Sequence, residues 1–533
     1  MAFHGAQIGS DFEDGNIALD TSTGKHHGIA LWPIPSDDPA DPIRWSRWLK
    51  IVAFLSACMC NFSSNVSGSG LSVSIPQLIQ EFRRSENQVN GLLAYNFLFL
   101  GIGNLVWVPL AVKFGKRVVL ITSITLLFLT LVWCAASTSF ESLLAARCFS
   151  GFAAAAGESI VPAIVSDIFF FHERATMMAT YVIFTTGGTA VGPLIAGYME
   201  QYTGSWRNFV WLSAALAGFN ALLLLAAFPE PNFRRPTALQ TLHTTEEEKG
   251  NVSHTEQGKD TKDIVQDIES KPAALLGVQN VAVSNPSWKK ILTTTTKVDV
   301  EVNLFKTLLH PVVFLTYPPV VWAIFIYGVA LSPQIILIFK FPTLLTPPPY
   351  LFGSGEVGLM QIAAIIGFTF ACFGGGWVSD IITARRIVRS GGIVYAEQRL
   401  LSLVPASWIA PAGCILIAIA GSRLLAWPSL AVGFGMLSFG TVYAPNIAVT
   451  YVVDSYPRFA AESLVLINVF KNIVAFVFIF VAVNWIEADG FLQVYMILFM
   501  LVCVSILLAI PLYFYGRRWR LAASKSTRHN WFL

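Results

Sequence analysis

Three charges stand where charge is expensive. Arg147, Glu158 and Lys471 each lie inside a stretch of about 20 apolar residues, long enough to cross about 30 Å of hydrocarbon. An ionised side chain in such a stretch costs roughly 2.5–3.5 kcal/mol on insertion scales, so it needs a partner or a wet cavity. Glu158 precedes Asp167, and Lys471 follows Glu462, by about nine residues each, which puts both about 14 Å deep. One acid and one base at equal depth suit an intramembrane pair. In that reading Glu158 takes and releases a proton and Lys471 sets its affinity for it. A static pair that only satisfies two costly charges fits the same spacing. Arg147, about five residues from the start of its stretch, either faces a cavity and shares in proton coupling or snorkels to the nearer surface.

Polar and aromatic residues within other apolar stretches are candidates to line a cavity for a small-molecule cargo. They are Asn61, Tyr95, Asn96, Tyr327, Gln334, Gln361, Tyr443, Asn446, Asn468 and Asn472. Each alone reads equally as a helix–helix hydrogen bond. With 13% aromatic residues and few buried charges, the set suits a bulky, largely apolar or weakly cationic cargo.

The elements that must hold these residues are membrane helices. Of 533 residues, 54% are hydrophobic and only 13% charged, about half the charge of a soluble domain. Twelve spans are expected: Leu49–Leu71, Gln88–Ala111, Val118–Ser137, Ser142–Val165, Met177–Met199 and Asn208–Phe228, then Pro311–Leu331, Gly358–Val378, Leu400–Ala420, Ser429–Tyr451, Ser463–Trp485 and Phe491–Tyr513. Residues 1–48 form a tail, 49–228 a first six-helix half, 310–515 a second, and 516–533 a final tail. The polar stretch 229–309 between the halves is too charged and too rich in Ser and Thr for a core, so it reads as a largely disordered linker.

Basic residues orient the spans. With the N-terminus in the cytosol, about 28 of the 35 lysines and arginines fall on the cytosolic side and about five outside, so both termini are expected to be cytosolic. The first ~45 residues lack the apolar core of a signal peptide. The seven cysteines all lie in apolar segments and read as buried thiols, without a disulfide framework or a metal site. No GxxxxGK[ST] loop is present to cradle a nucleotide, and nothing in the sequence supports an enzyme, a cofactor or a nucleic-acid partner.

An internal repeat relates the halves: "VWVPLAVKFGKR" follows the second span and "GGGWVSDIITARR" the eighth. The first resembles the loop Gly-x-x-x-Asp-(Arg/Lys)-x-Gly-(Arg/Lys)-(Arg/Lys) of the major facilitator superfamily. Lys113, Gly115, Lys116 and Arg117 match it, while Val112 stands in place of the aspartate and Val108 in place of the first glycine. The second copy keeps Gly376 and Asp380. Arg147 and Gly151 resemble the superfamily's Arg-x-x-x-Gly motif. "TTGGTAVGPLIAGYM" in span five resembles the Gly-x-x-x-Gly-Pro-x-x-x-Gly motif of drug:proton antiporters, through Gly188, Gly192, Pro193 and Gly197. "DPADPIRWSRWLK", "DIFFFHERAT", "FPEPNFRRP" and "YVVDSYPRFAAESLVLINVFKNI" are similar to a fungal, drug-antiporter-like branch, and the resemblance covers about Asp41 to Arg520.

That resemblance implies an all-α membrane protein of the major facilitator fold, with twelve helices in two six-helix pseudo-repeats. It also implies a proton-coupled transporter in the plasma or vacuolar membrane, exporting a drug or secondary metabolite by alternating access; some relatives instead import polyamines, cations or siderophores. The expectation is a monomer whose partners are its cargo, protons and the bilayer. The span-five glycines and Pro193 then read as a bending helix at the gate, or as close packing alone. Asp167, Glu173, Arg174, Asp454 and Glu462 read as latches between the halves, able to pair with Lys116, Arg117, Arg385 or Arg386 when the cytosolic side closes.

Overall fold

Lipid offers the backbone no hydrogen-bond partner, so each apolar stretch must close its own bonds as a helix. The computed structural model describes residues 17–18, 41–169, 171–233, 304–375, 393–394, 396–456 and 460–524. The 229–309 linker beyond residue 233 and before 304, and Gly376, Asp380 and Arg385, lie outside the described residues. The first half comprises α1 (Arg47–Gly70), α2 (Glu86–Phe114), α3 (Lys116–Ala136), α4 (Phe140–Ile168), α5 (Phe171–Thr203) and α6 (Trp206–Ala227). Serine opens four of them: Ser46, Ser85, Ser139 and Ser205 each accept a backbone N–H from the first turn they cap. α2 passes into α3 through the single residue Gly115, whose φ of 96° is one that a side chain would resist.

The second half comprises α7 (Pro318–Leu345), α8 (Ser354–Phe373, turning at Met360), α9 (Val404–Ser422) and α10 (Trp427–Ser455). The helix Ala460–Leu507 follows, broken at Gly490, where φ is 77°. Among the described residues eleven segments are long and apolar enough to cross a membrane, and the last runs 55 residues from Glu462 to Gly516. At about 1.5 Å per residue that is more than twice the hydrocarbon thickness, so it makes two crossings. The contacts agree. Tyr495 bonds to the Pro333 carbonyl and Trp322 to that of Ser505, so the later part runs against α7. Residues 460–489 are α11 and 491–507 are α12, which gives the twelve helices expected.

One expected boundary moves. The seventh span was placed at Pro311–Leu331, but His310–Thr316 forms a 3-10 turn and the helix runs from Pro318 to Leu345, through Pro333 and Pro342. Packed neighbours allow a membrane helix to tolerate such prolines. The shift brings Lys340 into a span that the expected boundary had ended before it.

The halves repeat each other's packing. α1 lies on α5, α2 on α4, and α3 on α4 and α6; correspondingly α7 lies on α11, α8 and α9 on α10, and α9 reaches α12 through Gly421 and Phe491. Between halves the pairing is again reciprocal, α2 on α11 and α5 on α8. The end carrying Lys113, Lys116 and Arg117 is called here the basic end, and the opposite one the far end.

Candidate functional site

Glu158 and Lys471 form an ion pair between the halves. Glu158 is on α4 and Lys471 on α11, and both are buried. Lys471 Nζ sits on Glu158 Oε1, 4.7 Å above the ring centroid of Tyr327 and 3.4 Å from its hydroxyl. The second carboxylate oxygen is held from both sides: Asn104 of α2 donates to Oε2 at 2.8 Å and Asn472 of α11 at 2.9 Å. Tyr181 of α5 donates to the Glu158 carbonyl at 3.0 Å. Five helices therefore meet around this ion pair, two of them, α2 and α11, placing donors on the carboxylate itself. Two of its three side-chain donors, Lys471 and Asn472, come from the other half, so the charge on Glu158 is itself a contact between halves. Buried charge of this kind holds only while every partner is in place.

Arg147 does not snorkel. It is 1% exposed and donates to the carbonyls of Ser67 at 3.0 Å and Gly68 at 2.9 Å, in the last turn of α1. Those carbonyls have no partner further along the helix, and a helix C-terminus carries partial negative charge, so a guanidinium satisfies both needs. Asn96 ties α2 to the same place, donating to the Arg147 carbonyl at 2.9 Å and to Ser150 Oγ at 3.1 Å. Arg147 thus sits at a helix end, separate from the Glu158 network.

The other polar candidates divide. Asn61 donates to Thr185 Oγ1 at 2.5 Å and joins α1 to α5. Tyr443 bonds to the Ser402 carbonyl at 3.0 Å and stacks on Phe439, which fixes helix packing. Tyr95 lies against Phe476 and Phe480 across the halves. Gln334 and Gln361 are buried, and Gln334 Nε2 and Gln361 Oε1 have no hydrogen-bond partner among the described residues. Asn446 and Asn468 are half-buried.

The span-five glycines serve two different contacts. A Cβ at Gly188 would come within 2.7 Å of the Phe62 carbonyl, and one at Gly192 within 2.6 Å of the Val66 carbonyl, both on α1. At Gly197 it would collide with the Ser354 carbonyl on α8, and Gly358 of α8 lies against the Pro193 carbonyl. Gly188 and Gly192 therefore join helices within the first half, while Pro193 and Gly197 meet the second.

At the basic end two ion pairs among the described residues each lie inside one half. Lys116 pairs with Asp167 in the first and Arg399 with Asp454 in the second, at equivalent places in the repeat. Arg174 donates to the carbonyls of Ser166 and Phe169, at 2.7 and 3.3 Å, closing the end of α4. Arg117 donates to the Leu225 carbonyl at 3.1 Å, while Lys113, Glu173 and Glu462 are half-buried. Val112, where the loop motif has aspartate, points outward at 44% exposure. Glu230 accepts instead from the backbone N–H groups of Lys116 and Arg117, both at 3.0 Å.

Asn104, Tyr181 and the pair Glu86–Lys340 escaped the sequence reading. Asn104 was findable, as an amide in an apolar stretch like Asn96. Lys340 was hidden by the misplaced seventh span.

The comparisons with known proteins agree with this architecture. The sequence profile of the Major Facilitator Superfamily matches residues 57–479. Protein HOL1 of Saccharomyces cerevisiae is 26% identical over 93% of this chain and 90% of its own length. Efflux pump radE of Floropilus chiversii is 23% identical over 92% and 85% respectively. The crystal structure of the human organic anion transporter MFSD10 (TETRAN) superposes with a TM-score of 0.55 at 15% identity, covering 86% of this chain and 99% of that one, a likeness of fold. The chain belongs to the major facilitator superfamily, a family of membrane transporters and not of enzymes, and its relatives include fungal members of that superfamily.

Proposed function

We propose that this protein is a proton-coupled antiporter that exports a small organic molecule by alternating access, its basic end in the cytosol of a plasma-membrane transporter. The observation that carries the reading is the ion pair between Glu158 and Lys471 across the halves. When Glu158 is ionised, Lys471 and Asn472 bind it and the halves are held together at mid-depth. Protonation removes the charge, so Lys471 loses its counter-ion, while Asn104 of the first half still holds the carboxyl group. Each proton that enters or leaves thereby changes the balance between the two ways of opening. Export is supported by the span-five Gly-Pro motif and by a relative described as an efflux pump.

A second reading, proton-coupled uptake of a polyamine, a related cation or a siderophore, is favoured by one observation. The Glu158 carboxylate and the Tyr327 ring already hold an ammonium, that of Lys471, which is the chemistry an organic cation would use. Flux of cationic and neutral compounds in oriented vesicles under an imposed pH gradient separates the two. Protons moving against the cargo support export; protons moving with it support uptake. Undiminished proton-dependent flux in Glu158→Gln overturns the coupling role in either.

A further inference from the structure

We propose that Glu86 and Lys340 are the latch that holds the far end of the transporter shut. Glu86 opens α2 in the first half; Lys340 lies near the far end of α7 in the second. Lys340 Nζ stands 2.6 Å from Glu86 Oε1, and Thr343, one turn further along α7, donates to the same oxygen at 3.2 Å. The pair is largely out of solvent, with side-chain exposures of 11% and 19%, where an ion pair is screened far less than at a free surface.

Its mounting is asymmetric. The short helix Ile75–Phe82 just before Glu86 is bolted to the first half: Glu81 takes the Arg207 guanidinium and the Trp206 indole N–H, and Gln77 bonds to Gly204 and Trp206. This helix also packs against α7. Glu86 is thus presented from a rigid platform, and opening the far end means that Lys340 and Thr343 must leave it.

A second observation shows what the latch works against. Asn87 Oδ1 and Asn90 Oδ1, in the first two turns of α2, are buried without a hydrogen-bond partner among the described residues. A buried acceptor without a partner is expensive, and Asn90, four residues after Glu86 on the same face of α2, gains water when that face is exposed. Closure therefore needs a compensating contact in the same place, and Glu86 with Lys340 and Thr343 supplies it. The backbone contact of Gly197 with Ser354 closes the same end on the α5–α8 side but carries no charge.

The test reads opening directly. Asn90→Cys in the full-length transporter is labelled with a membrane-impermeant maleimide added to each side of the membrane in turn, with protein lacking this cysteine as the background. Lys340→Met and Glu86→Gln should each raise labelling from the far side by roughly five-fold or more, and the double variant should label no faster than either single one. Unchanged labelling in both single variants, or rates that multiply in the double one, would overturn the latch. Glu86→Gln is close to isosteric, so the test stands if Lys340→Met does not fold. The measurement needs neither cargo nor a proton gradient, so it is independent of the coupling assigned to Glu158.

Discussion

Asn104 donates its amide to Glu158 Oε2 at 2.8 Å, while its own oxygen accepts the Ser159 hydroxyl. With the oxygen engaged, the N–H of this fully buried amide has to face the carboxylate. In the proposed cycle Asn104 is the first-half anchor that keeps Glu158 in position when Lys471 and Asn472 move away. Asn104→Ala removes that anchor and leaves the carboxylate short of a donor, a loss of about 1–3 kcal/mol. Proton-driven flux should fall by roughly ten-fold and its dependence on pH should shift, with cargo binding retained without a gradient. An unaltered pH profile would reduce Asn104 to helix packing.

Arg147 should behave as a structural residue. Its guanidinium closes the end of α1, and each hydrogen bond to a charged donor is worth about 1.5–3 kcal/mol. Arg147→Ala should lower the thermal stability of the purified protein strongly, and Arg147→Lys should restore part of it because an ammonium can still reach one carbonyl. Where Arg147→Lys folds, proton coupling should persist. Loss of coupling in a variant of normal stability would give Arg147 the coupling role that its position in the apolar stretch first suggested.

How much of this was legible follows from how the information is written. Length and apolarity announce a membrane helix, so eleven of the twelve spans fell near their expected places. The seventh did not, because the prolines of "HPVVFLTYPP" and "SPQIILIFKFP" blur where a helix begins and ends. Glu158 and Lys471 could be paired from depth alone, since charge in lipid demands a partner and only two residues stood at that depth. The partners of Arg147 could not be foreseen, because backbone carbonyls have no signature in sequence. The same holds at the basic end. Lys116 was one of the partners expected for Asp167 when the cytosolic side closes; the two pair inside the first half, where α3 and α4 are neighbours, while Arg385 and Arg386 lie outside the described residues.

Gly192 and Gly197, one motif in sequence, should part company in experiment. A methyl group at Gly192 meets the Val66 carbonyl inside the first half, whereas at Gly197 it meets Ser354 of the second. The obstacle is backbone in each case, so neither neighbour can swing aside. Gly192→Ala should lower thermal stability while leaving the balance of open states alone. Gly197→Ala should leave the first half intact and prevent full closure of the far end, seen as faster maleimide labelling of Asn90→Cys from that side. Equal behaviour of the two variants would show that the motif acts as a single packing surface.

Glu230 offers a test of how this chain manages without the usual aspartate of its loop motif. α3 begins directly after Gly115, which has no side chain to cap it, and its first two N–H groups, those of Lys116 and Arg117, both point at the Glu230 carboxylate from the end of the first half. A carboxylate at a helix N-terminus also complements the helix dipole. Glu230→Ala should therefore cost about 0.5–2 kcal/mol, as the loss of an N-cap does, and Glu230→Gln, which keeps one acceptor without the charge, should fall between. Adding Val112→Asp should not repair Glu230→Ala, because Val112 lies on the outward face of α2. The readout is thermal unfolding of the purified protein, with hydrogen exchange in the first turn of α3 as the local probe. Rescue by Val112→Asp would mean that the α2–α3 junction can rotate to restore the motif's ordinary arrangement, and that Glu230 is a substitute rather than the only cap this junction accepts.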